Sequence, residues 1–271
     1  MSVIRTDSFS MNYFKFGRGK ETLIIIPGLS VQSVMRFADD VAKAYSVLTD
    51  DFTIYLIERR NELPDTYSVR EMAHDTAAAI KALGLENVSI FGASQGGMIA
   101  MDIAIDYPGL VRRLVLASAP SFMYEERFRV IDSWIKLAER GEKEELYLSF
   151  GKNVYPEKVF EQSRELLTAA AKTLTDEELA RFTIIAEGMR KHNTHDELDR
   201  IACPVMLIAS DDDKVFGTEY AFQINERMKH RSDFEFFMYS GFGHAVYDTA
   251  PDFKERMLKF FNTHTVKNAG M

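Results

Sequence analysis

The chain has 271 residues, 46% of them hydrophobic and 27% charged, with a formal net charge of −8 at pH 7 and a sequence pI near 5.4. That is enough apolar material for one large α/β domain or a core with an inserted subdomain. The acidic balance, with no basic cluster threaded by aromatics, argues against a nucleic-acid or anionic-membrane surface. Cys203 is the only cysteine, which excludes an internal disulfide and fits a reducing cytoplasm. Residues 1–10 show neither the charged nor the apolar region of a secretory leader. The longest apolar runs, such as 23–26, are too short to span a bilayer.

Taken in order, residues 11–17 (MNYFKFG) read as a strand that turns at Arg18-Gly19-Lys20. Residues 22–26 are a continuous apolar strand ending in Pro27-Gly28, 34–45 have helical periodicity, and 52–57 form another buried strand. A clear helix over 69–83 is stopped by Gly84, a strand over 88–91 follows, a helix over 95–107 closes at Pro108-Gly109, and 111–117 is again a strand. Apolar runs that are continuous rather than alternating mark strands covered on both faces, as in a parallel sheet with helices on each side. From about 121 to 200 the pattern changes to helical segments only, near 125–140, 142–150, 157–174 and 176–191. A strand over 203–209, a helix over 218–229, a strand over 234–239 and a helix over 251–261 complete the chain, with 263–271 expected as a frayed tail. The expected organisation is an α/β core built from 1–120 and 201–271, with 121–200 as a helical insertion between two strands of one sheet.

The most informative stretch is VSIFGASQGG, residues 88–97. It reads as strand, sharp turn and helix, with Ser94 at the apex of a G-x-S-x-G turn that would lift a hydroxyl off the sheet end. The glycines relieve the crowding that a strained turn imposes on its neighbours.

Five places in order, IIIPGLS, FGASQGG, the 121–200 block, LIASDDDKVF and SGFGHAVYD, resemble an α/β hydrolase with a helical cap over essentially the whole chain. The resemblance implies a mostly parallel sheet with helices on both faces and the cap inserted between strands 6 and 7. It also implies a serine, acid and histidine in that chain order. Ser94 would be the nucleophile and His244, after a predicted strand, the base. Asp213 would be the carboxylate that holds the imidazole. Alignment of Leu207-Ile208-Ala209-Ser210 with the family's strand end puts Asp213 in register. Asp211 and Asp212 then read as turn formers bonded to nearby backbone N–H groups. Backbone N–H groups of Leu29 and Gln95 would receive the developing oxyanion. Many members have His-Gly where this chain has Pro27-Gly28, which removes a side chain that often braces the loop. The Glu58-Arg59-Arg60-Asn61 stretch lacks the glycines usual after the fourth strand, and its arginines read as surface ion pairs or, alternatively, as contacts to an acidic substrate.

His74, His192, His195, His230 and His264 read as structural or solvated histidines, and Cys203 as a small core residue. The cap aromatics, among them Phe122, Tyr124, Phe128, Trp134, Tyr147, Phe150 and Phe182, read chiefly as glue between cap helices, some doubling as a pocket ceiling. The expected function is a cytoplasmic serine esterase for a small or medium carboxylic ester or thioester. It would use no metal or organic cofactor and take a small-molecule acyl substrate, with no nucleic-acid or membrane partner and its oligomeric state open. A carbon–carbon bond or lactone hydrolase with the same triad is the alternative, and a ligand-binding or receptor protein with negligible turnover is the alternative of another class. A carboxylate nucleophile, as in dehalogenases and epoxide hydrolases, is disfavoured because serine stands at position 94.

Overall fold

Strand β3 (Glu21–Ile26) shows why the apolar runs are continuous: Leu23 and Ile25 pack into a core on one face of the sheet, Ile24 and Ile26 into a larger core on the other. Each such side chain taken out of water stabilises the fold by about 1.5–3 kcal/mol. The computed structural model describes residues 1–264. Eight strands form one sheet in the order β1-β2-β4-β3-β5-β6-β7-β8. These are β1 (Ser2–Arg5), β2 (Ser10–Gly17), β3, β4 (Phe52–Arg60), β5 (Val88–Ala93), β6 (Val111–Ala117), β7 (Val205–Ser210) and β8 (Phe234–Tyr239). β1 and β2 run antiparallel to their neighbours, and β4, β3, β5, β6, β7 and β8 pair in parallel.

Helices α1 (Ala38–Ala44), α2 (Val69–Ala82) and α3 (Gln95–Asp106) alternate with the first strands. Four more, α4 (Glu125–Glu139), α5 (Lys143–Val154), α6 (Glu157–Ala171) and α7 (Asp176–Glu187), lie between β6 and β7. They are followed by α8 (Glu219–Met228), the short α9 (Val246–Thr249) and α10 (Phe253–Thr263). α2 starts at a capping box, Ser68 with Glu71, and α7 at another, Thr175 with Glu178, each satisfying otherwise unpaired first-turn N–H groups.

The structure departs from the sequence reading in several places. β1 was not anticipated: it is a four-residue edge strand with only Ile4 buried, too short for a period to register. The helix expected over 34–45 is split into a 3-10 turn at Val34–Phe37 and α1. β4 continues past Ile57 to Arg60, carrying two charged residues inside the protein. Most of the tail expected over 263–271 lies outside the described residues.

Asp102 is a carboxylate on the buried side of α3, with His192 Nδ1 3.7 Å from its Oδ2. Burial pushes the Asp102 pKa up to about 7 and the His192 pKa down to about 3. A folded-state pKa raised above the unfolded carboxylate value means the native protein binds this proton more tightly. Stability contributed by the protonated form is therefore lost as pH rises toward 7. Replacing Asp102 by Asn removes that loss. Denaturant midpoints taken from pH 5 to 8 should show wild type weakening relative to Asp102→Asn by up to about 1.4 kcal/mol per pH unit, levelling above pH 7. Parallel curves for the two proteins would contradict it.

Candidate active site

Ser94, between β5 and α3, has φ +53° and ψ −121°, a conformation that L residues rarely adopt. Its N–H donates to the Ala117 carbonyl (2.7 Å), and its own carbonyl receives the Gly97 N–H (2.9 Å) and Met98 N–H (3.2 Å) as α3 begins. Two close approaches make the turn possible. A Cβ on Gly96 would overlap the Ile26 carbonyl oxygen at the end of β3, and a Cβ on Gly92 would overlap the Gly96 carbonyl oxygen. Only glycine lets the backbones come that near.

The structure brings Ser94, His244 and Asp213 together. Ser94 Oγ lies 2.9 Å from His244 Nε2, and His244 Nδ1 lies 2.8 Å from Asp213 Oδ2. Asp213 Oδ1 accepts the Val215 N–H (2.8 Å) and Phe216 N–H (3.1 Å), so both carboxylate oxygens are held. The carboxylate at Nδ1 sets the imidazole tautomer, leaving Nε2 free to accept the serine proton. All three residues are buried, and the Phe216 ring stands edge-on to the imidazole, 5.1 Å between centroids. Ser118, at the end of β6, donates its hydroxyl to the His244 carbonyl (2.6 Å) and anchors the loop from beneath.

Asp211 and Asp212 shape more than their own turn. Asp211 Oδ1 accepts the Gly241 N–H (3.0 Å), and Asp212 Oδ1 accepts the Gly243 N–H (2.7 Å) and the Ser210 hydroxyl (2.6 Å). The backbone they hold is the loop that carries His244, about thirty residues away in sequence, and not only the adjacent chain.

The loop after β3 lies against the serine: a Cβ on Gly28 would stand 3.2 Å from Ser94 Cβ. This brings the Gly28-Leu29 segment against Ser94, and Gln95, which follows the serine, is the first residue of α3. The first N–H groups of a helix have no acceptor within it and sit at its positive end. Arg59 corrects the sequence reading. It is not a surface residue: its buried guanidinium Nη2 donates to the Pro27 carbonyl (2.7 Å) and to Gln95 Oε1 (2.6 Å). Arg60 does form an ion pair, with Asp75 at 3.4 Å, but both side chains are only partly exposed.

The inserted helices close over these loops. Gln95 Nε2 donates to the Ile185 carbonyl of α7 (2.8 Å), Tyr147 Oη to Gln32 Oε1 (2.7 Å), and Ala245 N–H to the Val154 carbonyl (3.0 Å). A cavity of about 60 Å³ lies between Gly28, Gln32, Glu58, Arg59, Arg181 and Phe182. Among the aromatics of the insertion, Trp134 packs on Phe150 (4.6 Å between centroids) and Phe122 on Tyr124 (5.8 Å), while Phe182 lines the cavity. Cys203 is buried, and burial pushes its thiol up to about 12. Among the described residues no group of three His, Cys, Asp or Glu side chains could hold a metal ion, and no helix is long and apolar enough to cross a membrane.

A family model described as "Serine aminopeptidase, S33" matches residues 62–249, a span that holds Ser94, Asp213 and His244 but not Leu29. Among curated proteins, one from Agrobacterium fabrum named "Putative carbamate hydrolase RutD" is 26% identical over 222 residues, covering 79% of this chain and 84% of that protein. Among solved structures, the α/β hydrolase MGS-M2 from a Medee basin deep-sea metagenome superposes with a TM-score of 0.85 at 19% identity, covering 99% and 100% of the two chains. The enol-lactonase from Burkholderia xenovorans superposes with a TM-score of 0.81 at 13% identity, covering 96% and 100%. At those identities the structural likeness concerns the fold.

The turn glycines can be tested without a substrate. Gly96→Ala should lower stability by about 1–3 kcal/mol, because the added methyl must push the start of α3 off the end of β3. Gly109→Ala, where a Cβ meets nothing within 4 Å, should change it by less than about 0.5 kcal/mol. Thermal or urea unfolding of the two variants reads the contrast, and an equal, small effect would mean that the close approach is not required.

Proposed function

The chain belongs to the serine aminopeptidase, S33 family of α/β hydrolases, and from that membership and the geometry around Ser94 we propose a serine hydrolase of small or medium carboxylic esters or thioesters. The observation that carries the reading is the line of contacts Ser94 Oγ, His244 Nε2, His244 Nδ1, Asp213 Oδ2, at 2.9 and 2.8 Å, on a serine held at positive φ. His244 takes the Ser94 proton as Oγ adds to the substrate carbonyl carbon. Asp213 stabilises the imidazolium that forms. Backbone N–H groups of Leu29 and Gln95 receive the oxyanion of the tetrahedral intermediate. The intermediate collapses to an acyl-Ser94 as His244 passes its proton to the departing alcohol or thiol. Water, deprotonated by His244, then releases the carboxylic acid and restores the serine.

The helices between β6 and β7 act in this reading as a cap that selects the acyl group. The small volume of the cavity beside Gly28 favours a short acyl portion over a long hydrocarbon chain. A carbamate is the second reading, favoured by the name of the RutD relative; its carbonyl would be attacked by the same groups. The single, buried cysteine supports a reducing, cytoplasmic setting.

A panel of p-nitrophenyl esters, an alkyl thioester, an aryl carbamate and a lactone, run beside labelling by a fluorophosphonate probe, tests the assignment. Turnover should be best on short acyl esters, and the probe should label Ser94. Absent labelling of Ser94 would favour a binding protein, and turnover of the carbamate or lactone alone would move the substrate class. Ser94→Ala should abolish activity, by about 10⁴-fold or more. Asp213→Asn should approach that loss, since a neutral amide favours the wrong imidazole tautomer. Asp211→Asn and Asp212→Asn keep an acceptor oxygen for the histidine loop and should cost about tenfold or less. A larger loss at Asp211 or Asp212 than at Asp213 would reassign the acid.

A further inference from the structure

Peptide 27–28 offers few handles. Pro27 has no N–H to be held by, and Gly28 has no side chain and the widest backbone freedom of any residue. The Leu29 N–H, one of the two donors in the mechanism above, follows directly on that free joint. Its direction is therefore set only if something external fixes the loop. The Leu29 side chain holds one end by packing into the core, and at the other the Pro27 carbonyl accepts from Arg59 Nη2 at 2.7 Å.

The same nitrogen donates to Gln95 Oε1 at 2.6 Å, and Gln95 Nε2 donates onward to the Ile185 carbonyl of α7 at 2.8 Å. Gln95 is the residue whose N–H is the second donor. One guanidinium corner thus ties the two flanks of the same small space, one on the loop after β3 and one on the first residue of α3. Arg59 comes from the end of a third element, β4.

Its charge is only partly compensated. Glu58 Oε1 is 3.7 Å from Arg59 Nη1, and the Glu58 carboxylate already accepts from the Ser33 hydroxyl (3.2 Å), the Val34 N–H (3.0 Å) and the Arg59 N–H (2.9 Å). Arg59 Nε has no hydrogen-bond partner among the described residues, and the side chain is 4% exposed. An under-compensated buried cation costs stability while its surroundings are neutral. It is offset when negative charge develops nearby, which makes it an interaction stronger in the transition state than in the ground state.

We propose that Arg59 is the positioning residue of the oxyanion site, fixing the Pro27 carbonyl and the Gln95 side chain with one nitrogen and biasing the site toward the anionic intermediate. This rests on the reading of Ser94 as nucleophile. It assigns to Arg59 the task that a loop-bracing side chain at position 27 would otherwise perform.

The test compares wild type, Arg59→Met and Arg59→Lys by kcat and KM on a short p-nitrophenyl ester. It adds the rate constant for fluorophosphonate labelling of Ser94 and the fraction of sites labelled at completion. Arg59→Met should lower kcat by about 10²-fold, the usual scale for losing one oxyanion contribution, with KM within about threefold. Labelling should slow in parallel while the fraction labelled at completion is unchanged. Arg59→Lys, which keeps the charge and one hydrogen bond, should recover about a tenth to a half of the wild-type kcat. A merely structural role would lower the fraction labelled and leave the rate per labelled site alone, and that result overturns the proposal, as does a loss confined to KM. Should Arg59→Met fail to fold, Arg59→Lys decides, and wild-type kcat in that variant overturns the proposal. A wild type that labels at Ser94 but turns over no ester overturns the ester reading, and the labelling rates then decide Arg59. A wild type that does not label overturns both.

Discussion

The structure depends on one close approach, the seating of the first turn of α3 against the end of β3 at Gly96. Because the Ile26 carbonyl occupies the volume that any Cβ on residue 96 would need, the two backbones touch. That contact puts Ser94 at positive φ, sets the start of α3 beside the loop after β3, and leaves a gap between them in which the serine oxygen stands. Strain of this sort, of order 1–3 kcal/mol per residue, persists only where the surroundings over-determine it. Here the Ala117 carbonyl on β6 holds the Ser94 amide, and the two flanking strands hold β5.

From that fixed point the remaining groups arrive on separate elements, each with its own anchor. The histidine loop has several supports independent of the imidazole, among them Asp211 at Gly241, Asp212 at Gly243 and Ser118 at the His244 carbonyl. Asp213 has two of its own, the N–H groups of Val215 and Phe216. A side chain held by bonds that do not involve its working atoms reaches its position before any substrate binds. Preorganisation of that kind removes reorganisation from the chemical step. The run of three aspartates is therefore a division of labour, with two carboxylates fixing backbone and the third fixing an imidazole.

Much of this was legible in the sequence, for definite reasons. The strand, glycine-flanked serine and helix are contiguous, so 88–97 announces its geometry locally, and the buried strands of a parallel sheet read as unbroken apolar runs. Asp213 and His244 were reachable because each follows a recognisable strand at short distance. What stayed hidden was non-local or against the compositional odds. β1 has one buried residue and no period to detect. The partners of Asp211 and Asp212 lie about thirty residues away, where no local turn rule can see them. Arginine is rarely buried without a full partner, so the sequence points to an exposed Arg59. Its burial follows from β4 running three residues further than its apolar stretch, and only the fold shows what lies above that strand end.

The inserted helices complete the constraint rather than merely covering it. They meet the site through polar ties, among them α7 at Gln95, the end of α5 at the Ala245 amide, Tyr147 at Gln32 on the loop after β3, and Arg181 of α7 at the Arg59 carbonyl. Apolar cap contacts, such as Trp134 on Phe150, hold the helices to one another and are indifferent to where the cap sits. The polar ties are directional, and each ends on a segment that carries or borders a working group. A displacement of α7 therefore loosens the Gln95 side chain at one end and, through Arg59, the Pro27 carbonyl at the other. Under the proposed function, the helices that would select the acyl group and the groups that would stabilise charge share these hydrogen bonds, so changes in the inserted helices would alter rate as well as preference.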